Sequence, residues 1–160
     1  MNLNTVLDLI SFGQKIGKTL SAPAVIELVG DVGSGKTTLT RGIAKGLGVK
    51  ETVSSPSFTI SRHYAFAKNN QEQNLVHYDF YRLEDPGLMA EDLAEALNDQ
   101  NTITIIEWAD TVANILPENR ITIKIAVNDD GSRCIEVEQP DEVKQSSKLT
   151  NTSSCLKELK

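Results

Sequence analysis

Between a short apolar run and an amphipathic stretch stands Gly30-Asp31-Val32-Gly33-Ser34-Gly35-Lys36-Thr37, a match to G-x-x-x-x-G-K-[ST] at every fixed position. Nothing else in the chain restricts its fold so tightly. The run before it, Ala24-Val25-Ile26-Glu27-Leu28-Val29, has the apolar continuity of a strand covered on both faces. After it, Leu39, Ile43 and Leu47 recur every four residues in a helix predicted over 36–47, and Gly48 supplies the stop. Strand, glycine-rich turn and helix, in that order, form the context in which this motif cradles phosphate. The glycines let the backbone wrap tightly, so that its N–H groups converge on an anion. The helix that follows adds unpaired donors and the positive end of its dipole. Lys36 carries a full charge to the β- and γ-phosphates, and the Thr37 hydroxyl is a hard oxygen ligand suited to Mg²⁺. The sequence therefore predicts a nucleoside triphosphate site from Gly30 to Thr38, with Asp31, Val32, Gly33, Ser34, Gly35, Lys36, Thr37 and Thr38 around the phosphates. The competing reading is a glycine-rich turn that only caps a helix. No Asn-Lys-x-Asp segment of the guanine-specific kind occurs, which turns the expectation towards ATP.

The rest of the chain reads as alternating elements. A helix is predicted over 5–20, with Val6, Leu9, Ile10, Gly13 and Ile16 close to one face. Two strands are expected over 58–66 and 75–81, joined by a polar hairpin loop from Lys68 to Asn74. An acidic helix follows over 87–98, and Thr102-Ile103-Thr104-Ile105-Ile106 is a strand by its β-branched content. Two more strands, 121–127 and 134–138, flank the turn Asn128-Asp129-Asp130-Gly131-Ser132. Strands and helices alternate early and strands dominate late. That pattern predicts an α/β domain over 1–140 with a three-layer fold of the phosphate-loop NTPase kind, its sheet mixed and mostly parallel with added antiparallel strands. Beyond Pro140 little can be buried, so 141–160 reads as a disordered tail.

Charge narrows the partners. The chain carries a net charge of −6; its last twenty residues hold four Lys against three acids, so residues 1–140 carry −7. An acidic body is a poor direct ligand for nucleic acid, whose affinity rests on Lys and Arg against phosphate. If the protein serves RNA, a basic partner holds the RNA. No run approaches the roughly 18 apolar residues of a membrane span, and the first residues lack the pattern of a secretory signal. A cytoplasmic location is expected. Cys134 and Cys155 form no metal or disulfide pattern.

A phosphate-loop enzyme also needs a carboxylate near its metal. Asp79 ends the run Leu75-Val76-His77-Tyr78-Asp79, and Glu107 ends Ile103-Thr104-Ile105-Ile106-Glu107. The second run is more continuously apolar, as expected beside the strand that feeds the phosphate loop, which favours Glu107 as the metal-side acid; the first interleaves polar residues and is expected to be partly exposed. Asp79 would then stand across the site, placed to orient or deprotonate a water. A salt bridge to Arg82 is the plainer fate for Asp79, and a strand-end surface charge for Glu107. Trp108, the single tryptophan, fits either a ligand stack or a half-buried core position. His77 and His63 read as structural. Ser54-Ser55-Pro56-Ser57-Phe58-Thr59 offers hydroxyls that fit a γ-phosphate sensor or an ordinary loop.

Taken in order, the phosphate loop with Thr38-Leu39-Thr40-Arg41-Gly42, then Ser55-Pro56-Ser57-Phe58-Thr59, His77-Tyr78-Asp79-Phe80-Tyr81-Arg82-Leu83 and Ile106-Glu107-Trp108, resemble the TsaE (YjeE) family over about residues 8–138. Those are small bacterial ATPases of tRNA threonylcarbamoyladenosine (t6A) synthesis. The resemblance implies ATP and Mg²⁺ as ligands, the metal held by Thr37 and Glu107, Asp79 important for hydrolysis and Trp108 beside the site. It also implies work with TsaB and TsaD proteins, of which TsaD-like proteins transfer the threonylcarbamoyl group to adenosine 37 of tRNA. ATP hydrolysis would reset that complex between turnovers. The sequence departs in Ser57 for the usual Thr, in Ala109 where Pro often follows Glu-Trp, and in Val32 and Ser34 within the loop. Two other classes compete with an ATPase: a nucleotide-sensing module in which hydrolysis is incidental, and a small-molecule kinase. The kinase is disfavoured by only five, scattered Arg residues.

Overall fold

A computed structural model describes residues 1–139; the 141–160 segment expected to be a tail, with Cys155 in it, lies outside the described residues. In chain order the elements are β1 (Asn2–Leu3), α1 (Val6–Thr19), β2 (Ala24–Val29), α2 (Lys36–Leu47), β3 (Ser61–Lys68), β4 (Gln71–Asp79), α3 (Leu88–Asn98), β5 (Thr102–Glu107), a 3₁₀ segment (Ala109–Ile115), β6 (Ile121–Val127) and β7 (Arg133–Glu138). The strands make one sheet of order β1-β7-β6-β2-β5-β4-β3. β2 runs parallel to both β5 and β6, and β5 parallel to β4. β3, β7 and β1 extend this parallel core with antiparallel pairs. The expected α/β class with a mixed sheet is what the chain adopts.

Side-chain alternation along the strands builds two cores. Ile26, Leu28, Leu75, Ile103 and Ile105 face Leu9, Ile16, Leu39 and Ile43 of α1 and α2. Val76, Tyr78 and Ile106 face Leu93 of α3 and Val112 of the 3₁₀ segment. All six residues of β5 are buried, which its β-branched run fits. Among the described residues, no helix is long and apolar enough to cross a membrane.

Local chemistry sets the helix starts. Thr5 caps α1 through a reciprocal pair in which its hydroxyl accepts from the Asp8 N–H and its own N–H donates to the Asp8 carboxylate. α2 begins at Gly35 in the left-handed region with no side-chain cap, so its first N–H groups stay available to a ligand. α1 and α2 pack backbone to backbone. A Cβ on Gly17 would lie 2.1 Å from the Ile43 carbonyl oxygen, and one on Gly42 2.5 Å from that of Ile10. No side chain fits at such separations.

Three expectations need correction. The third strand starts at Ser61 and not Phe58, because Thr59 and Ile60 turn back to the Pro56 carbonyl and leave Phe58 fully exposed. The hairpin loop is the pair Asn69-Asn70, both at positive φ, and Gln71–Asn74 belong to β4. Asn tolerates that backbone, so a two-residue turn suffices where a long polar loop was expected. β4 is not partly exposed at its end: Leu75 to Asp79 are all buried, since β4 lies between β3 and β5. His77 and Asp79 are buried with it. β1 and the 3₁₀ segment were not anticipated at all.

Candidate functional site

Parallel register sets the site. Leu28, one residue before β2 ends, pairs with Glu107, and Glu107 pairs with Asp79 across the next strand boundary. The carboxyl ends of three parallel strands therefore meet beneath the start of α2, the place where open α/β sheets form their crevice. A cleft of about 680 Å³ opens there. Val32, Gly33, Gly35, Lys36, Thr37 and Thr38 form one wall; Ser55, Ser57, Asp79, Glu107 and Trp108 stand opposite. Of the residues expected around the phosphates, only the side chains of Asp31 and Ser34 lie away from this cleft. Asp31 borders a second hollow beside the loop, and Ser34 is buried with its hydroxyl unpartnered among the described residues.

Lys36 folds back on its own loop. Its Nζ donates to the carbonyls of Gly30 (2.7 Å) and Asp31 (3.0 Å) and lies 4.2 Å from the centre of a Trp108 ring. Burial pulls the Lys36 ammonium below the ordinary lysine range, and the charges of Glu107, Asp79 and Asp31 oppose that shift. Trp108 holds this position from a left-handed backbone (φ 58°, ψ 52°), a strained conformation for a bulky residue. Its ring also packs against Tyr81, centroids 4.9 Å apart. Trp108 is half-buried, as the plainer reading expected, and it lines the cleft.

The two acids have separate partners. The Thr37 hydroxyl donates to Glu107 Oε1 at 3.2 Å, and His77 Nε2 lies 2.9 Å from the same oxygen. Asp79 Oδ2 accepts from the hydroxyls of Ser55 (3.1 Å) and Ser57, while its Oδ1 accepts the Tyr81 N–H at 3.1 Å. The plainer fates do not occur. Glu107 is 3% and Asp79 5% exposed, and Arg82 stacks on Tyr81 in place of pairing with Asp79.

Sequence reasoning missed two residues. His77 was read as structural, yet it reaches the site because it shares a strand face with Asp79, two residues on. That spacing was the available signal. Arg133, at the start of β7, donates from Nε to the Ser34 carbonyl at 3.1 Å and so braces the phosphate loop from behind. Its distance in sequence left no signal. His63 is exposed on β3 by the acidic helix, away from the cleft. Among the described residues no cluster of three or more His, Cys, Asp or Glu side chains suits a metal; the available oxygens come from Thr37, Glu107 and Asp79.

Comparison with known proteins shows the family. The family model described as "Threonylcarbamoyl adenosine biosynthesis protein TsaE" matches residues 3–135. A Streptomyces coelicolor protein called tRNA threonylcarbamoyladenosine biosynthesis protein TsaE is 37% identical over 113 residues, 71% of this chain and 75% of that protein. A protein of the same name from Nostoc sp. is 35% identical over 131 residues, 80% of this chain and 78% of that one. The crystal structure of YdiB from Bacillus subtilis matches with a TM-score of 0.71 at 27% identity, covering 91% of this chain and 88% of that structure. The chain belongs to the TsaE family of threonylcarbamoyl adenosine biosynthesis proteins.

Proposed function

We propose that this protein binds ATP with Mg²⁺ and hydrolyses it, slowly or only beside partners, as the ATP-driven component of tRNA t6A modification. The observation that carries the reading is the contact of the Thr37 hydroxyl with Glu107 at the mouth of the phosphate loop. Thr37 gives its proton to Glu107 Oε1, so its lone pairs remain to bind a cation. Glu107 Oε2 has no hydrogen-bond partner among the described residues. Two hard oxygens in one cleft suit Mg²⁺, which when bound neutralises phosphate charge and polarises the γ-phosphoryl group.

The chain's own groups supply the rest. The loop N–H groups and the start of α2 receive the phosphates. Lys36 exchanges the Gly30 and Asp31 carbonyls for phosphate oxygens, moving from a neutral partner to a charged one. Asp79 orients the attacking water and accepts its proton once a serine hydroxyl yields; the water oxygen bonds to the γ-phosphorus as ADP leaves.

TsaB and TsaD family proteins are the proposed partners, with tRNA contacted through them and the protein working in the cytoplasm. The net negative charge supports an indirect role with RNA. ATP turnover measured for the protein alone and with TsaB and TsaD, for wild type and Lys36→Ala, tests this. Turnover that Lys36→Ala leaves unchanged, or no ATP-dependent association with those proteins, would sink it.

The tie of Ser55 and Ser57 to Asp79 favours a second reading, a nucleotide-sensing module in which the Ser55–Thr59 turn reports the γ-phosphate. On that reading Asp79→Asn preserves partner function; a fall in t6A with ATP binding intact rejects it.

A further inference from the structure

His77 is fully buried, and a buried imidazole must account for both ring nitrogens. Nε2 faces Glu107 Oε1 at 2.9 Å, whereas Nδ1 is buried with no hydrogen-bond partner among the described residues. A carboxylate only accepts, so Nε2 is the donor. The ring spends its one specific contact on Glu107. A residue present only to fill the core would be served by an apolar side chain of the same size, without the cost of an orphaned polar atom.

Glu107 in turn receives two donors on one oxygen. Thr37 approaches Oε1 from α2, and His77 approaches it from β4, at positions 70 and 30 residues away in sequence. With Oε1 held from both sides, the carboxylate plane is set and Oε2 is left for the cleft. The pairing His77↔Ile105 places the imidazole two residues inward of Glu107 on the same sheet face, where the Nε2 atom can meet it. Cation ligands are commonly oriented in this manner by groups that never touch the ion.

From these contacts we propose that His77 is a positioning residue, which fixes the rotamer of Glu107 so that the Thr37–Glu107 pair binds Mg²⁺ tightly on the nucleotide. The inference rests on the assignment of Thr37 and Glu107 to the cation. His77 touches neither nucleotide nor metal. Its contribution is to metal affinity and leaves nucleotide affinity without metal untouched.

The test uses the full chain, a fluorescent ATP analogue and a Mg²⁺ titration, with the same binding measured in EDTA. His77→Leu is expected to raise the Mg²⁺ concentration at half-effect by about 10- to 100-fold, the usual cost of losing an outer partner. Nucleotide affinity in EDTA should not move. His77→Gln carries an amide N–H near the Nε2 position and should recover most of the Mg²⁺ response, while His77→Asn, whose amide is too short, should not. If His77→Leu fails to fold, the Gln and Asn variants decide between them: equal Mg²⁺ midpoints overturn the proposal. So does a His77→Leu protein that folds and titrates like wild type. Glu107→Ala keeps the two levels apart. If it too leaves the midpoint unchanged, the assignment of Glu107 to the cation has failed; if it shifts the midpoint while every His77 variant does not, only the positioning role has.

Discussion

Asp79 and Glu107 are register partners on adjacent parallel strands, both buried, and their carboxylates share no hydrogen-bonding neighbour among the described residues. Glu107 is held by Thr37 and His77, Asp79 by Ser55, Ser57 and the Tyr81 N–H. Two carboxylates side by side thereby have different surroundings, and the proposed function gives them different work.

The division predicts different losses. Glu107→Gln should weaken Mg²⁺-dependent nucleotide binding, while Asp79→Asn should bind Mg·ATP normally and lose hydrolysis by about 10²- to 10⁴-fold, the range for a positioned base. Binding isotherms and single-turnover rates for both variants separate the roles. Matching defects in the two would contradict the assignment.

Lys36 carries a pH dependence whose sign follows from its burial. Phosphate binds the ammonium form, so affinity holds while Lys36 is protonated and falls as pH rises through its value in the free protein. Burial sets that value below the ordinary lysine 10.5, so the fall should begin earlier than for a solvated lysine. Nucleotide affinity measured in EDTA from neutral to alkaline pH checks this; Lys36→Ala should bind weakly and lose that limb of the profile.

The α1–α2 contact should not admit even a methyl group. Gly17→Ala would set its Cβ against the Ile43 carbonyl and force the helices apart, at a cost of about 1–3 kcal/mol. Alanine is otherwise the better helix former, so a gain in stability would refute the close approach. Denaturant melts of Gly17→Ala against Ser11→Ala, at an exposed position of the same helix, provide the comparison.

Arg133→Ala removes the donor that braces Ser34. Nucleotide affinity should fall by about 1 kcal/mol, roughly fivefold, with the melting temperature little changed. Calorimetric titration with ATP measures it. Unchanged affinity would mean that the loop keeps its shape unaided.

Much of this protein could be read before folding was considered. The glycines of residues 30–35, the helical recurrence of Leu39, Ile43 and Leu47 and the β-branched run of β5 each record a local constraint: backbone freedom, a 3.6-residue period, a strand buried on both faces. Glu107 could be picked out as a candidate by the same logic, because an apolar strand ending in a carboxylate is itself a local pattern; its hydrogen bond with Thr37 came from the fold. The short turn at Asn69-Asn70 and the late start of β3 were misjudged, since polar residues alternate on a half-exposed strand much as they cluster in a loop.

What lay beyond local pattern was every relation between elements. The glycine-rich turn before α2, the β2 run and the α/β class followed from the sequence by itself, because their signals lie within a few residues of one another. Only the tertiary structure decided that β5 inserts between β2 and β4 so that His77 reaches Glu107, that Asp79 meets Ser55 and Ser57, and that Arg133 of β7 braces the loop. Those contacts join residues 22 to 99 positions apart. Register between distant strands depends on the whole sheet closing at once, and no short stretch of sequence carries that information.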